Sequence, residues 1–87
     1  GSRMKITLKL HAKLSECLPA EARNSGTLAL DVDSGATVAS LIAQFNVPPN
    51  LCHLVLIDGV FVPPAARATR MLAEGETLTI WPPVAGG

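Results

Sequence analysis

The chain has 87 residues, 48% of them apolar and 16% charged, a composition that excludes a disordered tail. Seven basic residues balance seven acidic ones, so no cationic excess exists to neutralise a nucleic-acid backbone. Prolines and polar residues interrupt each apolar stretch before it reaches the length of a membrane span. Neither nucleic acid nor membrane is expected as a partner. Gly1, Ser2 and Arg3 read as the remnant of an expression tag ahead of Met4. The remainder, 4–87, is enough for one small domain and no second. No apolar targeting segment follows Met4, so the expected location is cytoplasmic.

Ile6, Leu8 and Leu10 alternate with Thr7, Lys9 and His11, the period of a half-buried strand. Lys13 to Arg23 carries Leu14, Cys17 and Leu18 at helical spacing, although Pro19 interrupts the hydrogen-bond ladder of any helix there. Asn24-Ser25-Gly26 is a turn cluster, and Leu28, Leu30 and Val32 alternate again in a second strand, Thr27 to Val32. Thr37 is a suitable N-cap for Val38, Leu41, Ile42 and Phe45, which predict an amphipathic helix of about three turns closed by Asn46. Leu54 to Ile57 is a short apolar run that reads as a buried strand. Asp58-Gly59 is a two-residue hairpin turn, returning the chain as Val60, Phe61 and Val62 until Pro63-Pro64. Ala65 to Leu72 has no clear period. After Glu74-Gly75 a last strand, Glu76 to Trp81, leads into Pro82-Pro83-Val84-Ala85-Gly86-Gly87.

Strand, strand, helix, strand, strand, strand is an α+β order. One helix covers one face of a mixed sheet of four to five strands. This is the β-grasp, or ubiquitin-like, arrangement with a flexible C-terminal Gly-Gly tail. If Ile6, Leu8, Leu10, Val60, Val62, Leu78 and Ile80 face the helix, then His11, Phe61 and Trp81 face outward. Phe45 is placed on the helix core face, so two of the three aromatics lie on the solvent side, the pattern of a partner-binding surface.

Other candidate sites are weaker. Cys17 beside His11, or Cys52 beside His53, could pair as a thiol and its base, but small core cysteines account for both. Asp31 and Asp33 share one face of a strand and read as solvated edge charges. No acid or thiol stands at ligand spacing from His11, so no metal site is expected. The ending carries more chemistry: Pro82-Pro83 stiffens an extended arm, Val84-Ala85 is small, and Gly86-Gly87 has no side chains. An arm that tapers in this way can thread a narrow tunnel and present the Gly87 carboxylate inside another protein.

The ending Trp81-Pro82-Pro83-Val84-Ala85-Gly86-Gly87 behind Glu74-Gly75-Glu76 resembles the MoaD family, the small subunit of molybdopterin synthase. The opening strand from Met4, the Gly35-Ala36-Thr37-Val38 helix start and Ile57-Asp58-Gly59 extend the resemblance over nearly all of 4–87, within the wider MoaD and ThiS sulfur-carrier superfamily. It implies that a ubiquitin-activating-type adenylyltransferase uses ATP to adenylate Gly87. A persulfide sulfur donor then leaves a thiocarboxylate. The arm inserts into the large catalytic subunit of molybdopterin synthase, in a heterotetramer, where the sulfur passes to a pterin precursor. Gly87 is then the sulfur bearer and Gly86 the tunnel residue. Trp81, Phe61 and His11 form the docking surface, and Pro82, Pro83, Val84 and Ala85 form the inserted arm. The chain itself is no enzyme and binds no cofactor. The same chemistry could serve thiamine thiazole, cysteine or a specialised metabolite, or a ubiquitin-like modifier joined to lysines.

Overall fold

Alternation in the first strand organises the whole sheet. The computed structural model describes residues 3–83, and in it β1 runs over Arg3–Leu10 with Met4, Ile6, Leu8 and Leu10 buried on one side. Strand β2, Thr27–Asp33, pairs antiparallel with it, Arg3 opposite Asp33 and Lys9 opposite Thr27. The connection between them is not one helix. A 3₁₀ turn covers Ala12–Cys17 and a single α-helical turn, α1, covers Ala20–Arg23. Pro19 stands between them with φ −57° and ψ 155°, extended backbone that no helix can pass through. Leu14, Leu18 and Ala22 still reach the core.

Helix α2, Val38–Gln44, is held at both ends. Thr37 Oγ1 accepts from the Ser40 amide at 3.2 Å, and Ser40 Oγ accepts from the Thr37 amide at 2.8 Å, a reciprocal capping box. The first-turn amides of Val38 and Ala39 donate to the carbonyls of Arg70 and Arg67. The stretch without a period in the sequence is thus a strap that closes the N-terminus of α2 and buries Leu72. The helix has seven residues, two turns rather than three. Asn46 takes a left-handed conformation, φ +56°, and the amides of Asn46 and Val47 return to the carbonyls of Ala43 and Ile42. This Schellman closure stops the helix at the point where Val47 is drawn into the core. Phe45, at the end of the helix, is half-buried against that core.

Strands β3, Leu54–Ile57, and β4, Val60–Phe61, form a hairpin through Asp58 and Gly59, whose φ values of +51° and +84° are those of the two-residue turn. Strand β5, Thr77–Trp81, then enters between β1 and β3, parallel to the first and antiparallel to the second. The sheet order is β2-β1-β5-β3-β4, with α2 against one face: a β-grasp fold. Arg70 Nη2 donates to Glu76 Oε2 at 2.9 Å, the main reason the Glu76 carboxyl lies below its usual range. Glu76 Oε1 accepts from the Ala73 amide, tightening the turn into β5.

Two sequence expectations need correction. Val60 was expected to face the helix, and it does stand opposite buried Ile57, yet it is 68% exposed. Strand β4 is the edge of the sheet, so correct parity alone brings no burial there. Leu54 to Ile57 is likewise not buried throughout: Val55 and Ile57 are in the core, whereas Leu54 and Leu56 are half-buried on the other face. Among the described residues no helix is long and apolar enough to cross a membrane.

Gly26 closes the connection into β2. It has φ +70° and accepts the Leu10 amide, and a Cβ on it would lie 2.9 Å from the Leu10 carbonyl oxygen. Gly26→Ala should therefore destabilise the domain by at least about 1 kcal/mol in urea unfolding. Gly35→Ala, where added carbon meets nothing within 4 Å, should stay within about 1 kcal/mol of the parent. Equal unfolding midpoints for the two variants would refute this reading of the turn.

Candidate functional site

Strand register determines what the helix-free face presents. On β1 the outward residues are Arg3, Lys5, Thr7 and Lys9; on β5 they are Thr77, Thr79 and Trp81. Pairing sets Leu54 opposite Trp81, and Leu56 opposite Thr79 on one side and Phe61 on the other. The side chains of Phe61, Leu56, Leu54 and Trp81 thus form one apolar strip across three strands. Phe61 is 51% exposed and Trp81 43%, so close to half of the strip's aromatic surface is open to water.

His11 completes the strip. Its amide donates to the Ile80 carbonyl at 3.2 Å, extending the β1–β5 pairing by one residue. The imidazole lies flat on the Trp81 indole, with ring centroids 3.6 Å apart and planes inclined by 4°. Burial, with Lys9 as a smaller second cause, holds the His11 pKa below the usual histidine value. Its Nε2 is buried without a hydrogen-bond partner among the described residues. A neutral ring suits that environment, and it fixes the indole in one orientation.

His11, Phe61 and Trp81, the residues read from the sequence as a docking surface, therefore share one face. Leu54 and Leu56 belong to it as well and were missed, because their run was read as wholly buried. The signal was present: a two-residue turn at Asp58-Gly59 forces Leu56 opposite Phe61. Pro82 is half-buried and Pro83 exposed at the exit of the strip. Val84, Ala85, Gly86 and Gly87 lie outside the described residues.

The remaining candidates take structural places. Cys52 is buried, its Sγ donates to the Pro48 carbonyl at 3.5 Å, and burial pushes its pKa up, the reverse of what an activated thiol needs. Cys17 is half-buried against the core. Neither thiol hydrogen-bonds a histidine among the described residues. Asp33 pairs with Arg3 at 2.8 Å in the open, a solvated bridge of small energetic weight, and Asp31 is exposed. This face presents two partly exposed aromatic side chains and two half-buried leucines side by side, with no ionisable group beside them among the described residues but His11 and Lys9.

Trp81 is the chain's single tryptophan, so its fluorescence reports on His11 directly. The emission should titrate with a midpoint below about 6.5, the ordinary histidine value. His11→Gln should abolish that transition and His53→Gln should keep it. Because the folded pKa is the lower one, the unfolded chain binds more protons below about 6.5, and stability falls as pH drops through that region. A midpoint at or above 6.5, or a transition that survives His11→Gln, would contradict the stacked geometry.

Residues 9–87 match the ThiS family. Compared with curated protein sequences, the chain has no significant match. Among solved structures it is similar to SAMP1 from Haloferax volcanii, with 30% identity, 95% of this chain and 99% of that one covered, and a TM-score of 0.63. Two others share the fold. The thiamine biosynthesis protein ThiS from Geobacter metallireducens is 15% identical with TM-score 0.59, covering 93% of this chain and 99% of that one. A Pyrococcus furiosus protein described as molybdopterin converting factor subunit 1 is 16% identical with TM-score 0.60 and the same two coverages, 93% and 99%. The chain belongs to the ThiS family of small ubiquitin-like sulfur carriers.

Proposed function

We propose that Gly87 carries the reacting group of this protein, and that the chain serves as a sulfur carrier in molybdopterin biosynthesis. A free carboxylate is a poor electrophile. In this reading a ubiquitin-activating-type enzyme joins it to AMP from ATP with release of pyrophosphate. A persulfide donor then attacks the acyl carbon and displaces AMP. A donor thiol cleaves the resulting acyl disulfide, leaving the Gly87 thiocarboxylate and an oxidised donor. The Pro82-Pro83 arm carries that sulfur into a large catalytic subunit, in a heterotetramer, and the pterin precursor receives it there. The protein acts in the cytoplasm, holds no cofactor and performs no catalysis alone.

One observation carries the reading: the apolar strip of Phe61, Leu56, Leu54 and Trp81 runs straight into the arm, since Trp81 is the last residue of β5. A partner that dehydrates the strip receives the arm in a defined direction. A second reading, a modifier joined to lysine amines, draws on the 30% identity to SAMP1 over 95% of this chain. Both start from the same adenylate and differ in the nucleophile that follows.

Mass spectrometry of the tryptic peptide from Met71 to Gly87 separates them. The protein should be produced with Gly87 as its free end beside its native sulfur machinery, then alkylated. The peptide holds no cysteine, so an alkyl group mapped to Gly87 identifies a thiocarboxylate. Gly87 joined to lysine would establish the modifier, and an unmodified carboxylate with competent machinery would refute both. One residue added after Gly87 should abolish loading without unfolding the domain. Trp81→Ala should weaken partner binding by at least tenfold, the scale of an interface hot spot, with a much smaller effect on stability.

A further inference from the structure

The helix layer carries a second feature, on the side of the sheet away from the strip. An open groove of about 540 Å³ follows α2, lined by Ala39, Ile42, Ala43, Val47, Pro48 and Arg67, among others. Ala39 and Ala43 stand one helical turn apart, and their short side chains leave the space that longer residues would fill. Ile42 and Val47 are almost buried, so the apolar wall is an outcrop of the core itself.

Arg67 is the charged residue of this groove, and it is held in place. Its amide donates to the Pro64 carbonyl at 3.3 Å, and its carbonyl accepts the Ala39 amide at 2.9 Å. Nη2 donates to the Cys52 carbonyl at 2.8 Å, and Nε is buried. Nη1 is neither bonded nor buried among the described residues, so the end of the guanidinium stays open to solvent. Arg3 and Arg70 each pair with a carboxylate, whereas Arg67 has none among the described residues, and no acidic side chain lines the groove. An anchored guanidinium without a counter-charge suits a carboxylate, which its planar fork matches. Anchoring also removes side-chain freedom in advance, so less is lost when a ligand binds.

Shape narrows the choice of ligand. Ala39 to Asn46 covers about 10 Å along the helix, the length of about three residues of extended chain. A trough open along its side leaves much of a small molecule in water, yet it accepts a chain that enters at one end and leaves at the other. We propose that this groove is a docking site for an acidic–aliphatic segment of a partner protein. One Asp or Glu of that segment sets its carboxylate against the Arg67 guanidinium, and its aliphatic neighbours cover Ile42, Val47 and Pro48. Helix α2 and the aromatic strip lie on opposite faces of the sheet, so a partner held here leaves Phe61 and Trp81 free. The domain can then hold two proteins at once.

NMR titration of the isotope-labelled full chain with the peptide acetyl-Ser-Val-Glu-Leu-Val-Ser-amide tests the site, beside the same peptide with Gln in place of Glu. Saturable shifts are expected at the amides of Ala39, Ala43 and Val47, with a Kd below about 1 mM, while the Trp81 indole N–H stays in place. The Gln peptide should bind about tenfold more weakly, the scale of one hydrogen bond to a charged group. Arg67→Gln should cause the same loss, although it also gives up the Cys52 contact. Ala43→Glu separates the two effects: Ala43 is exposed, so a carboxylate there should compete for Arg67 and weaken binding without lowering the unfolding midpoint. Equal affinity for the Glu and Gln peptides would overturn the proposal, as would shifts confined to Phe61 and Trp81. Butyrate binding as tightly as the Glu peptide would assign the groove to a small acid, and groove shifts on dilution without peptide would assign it to a second copy; either result refutes the proposal. These readouts are independent of whether Gly87 is converted to a thiocarboxylate, so the groove and the carrier reading fail separately.

Discussion

Parallel pairing of β1 with β5 is the constraint on which the rest of the structure depends. Leu8 stands beside Leu78 and Leu10 beside Ile80, and all four are almost fully buried under α2. Side chains alternate with a period of two, so a slip of one residue would drive Thr77, Thr79 and Trp81 into the core and put Leu78 and Ile80 in water. The apolar content of β5 therefore fixes its register, and the register places Trp81 on the open face next to His11. The apolar strip is the complement of the core, specified by the same alternation.

The helix layer obeys a similar economy. Seven residues are few for an isolated helix, and α2 persists because its ends are occupied. Thr37 and Ser40 cap each other, Asn46 and Val47 close the other end, and the strap through Arg67 and Arg70 supplies two carbonyls to the first turn. The strap is covalently continuous with the turn that launches β5, where Arg70 grips Glu76. Closing the helix and starting the central strand are thus coupled, and the long connection between β4 and β5 is ordered by that coupling.

Local patterns were legible in the sequence wherever one residue's neighbours along the chain decide its state. The alternation of Ile6, Leu8 and Leu10, the Thr37 cap and the Asp58-Gly59 turn each carry their own physical signature, and together they give the element order. Val60 and the strap fall outside that class. Burial of Val60 depends on its place at the sheet edge, and the path of residues 65–72 depends on orphan helix amides that no local period announces. The same applies to the site. Outward parity placed His11, Phe61 and Trp81 on one face, but the stack of imidazole on indole comes from β1 running one residue past its last paired strand position. Leu54 and Leu56 were hidden because an apolar run signals burial whether or not both faces of a strand are covered.

An exposed apolar strip invites self-association, and the sheet's edges limit how that can happen. Strand β4 has two residues and is followed by Pro63 and Pro64, which offer no amide to a further strand. The opposite edge, β2, presents Asp31 and Asp33 to solvent. With both edges unsuited to strand addition, association is directed to side-chain contacts on the sheet face. There the strip is bounded by Lys9 and by the row Thr7, Thr77 and Thr79, so dehydrating it well requires a partner surface with a matching outline. Edges that refuse a further strand and a register fixed in the centre thus converge on one outcome: a small domain that can display two aromatics and two leucines on one face without pairing strand to strand.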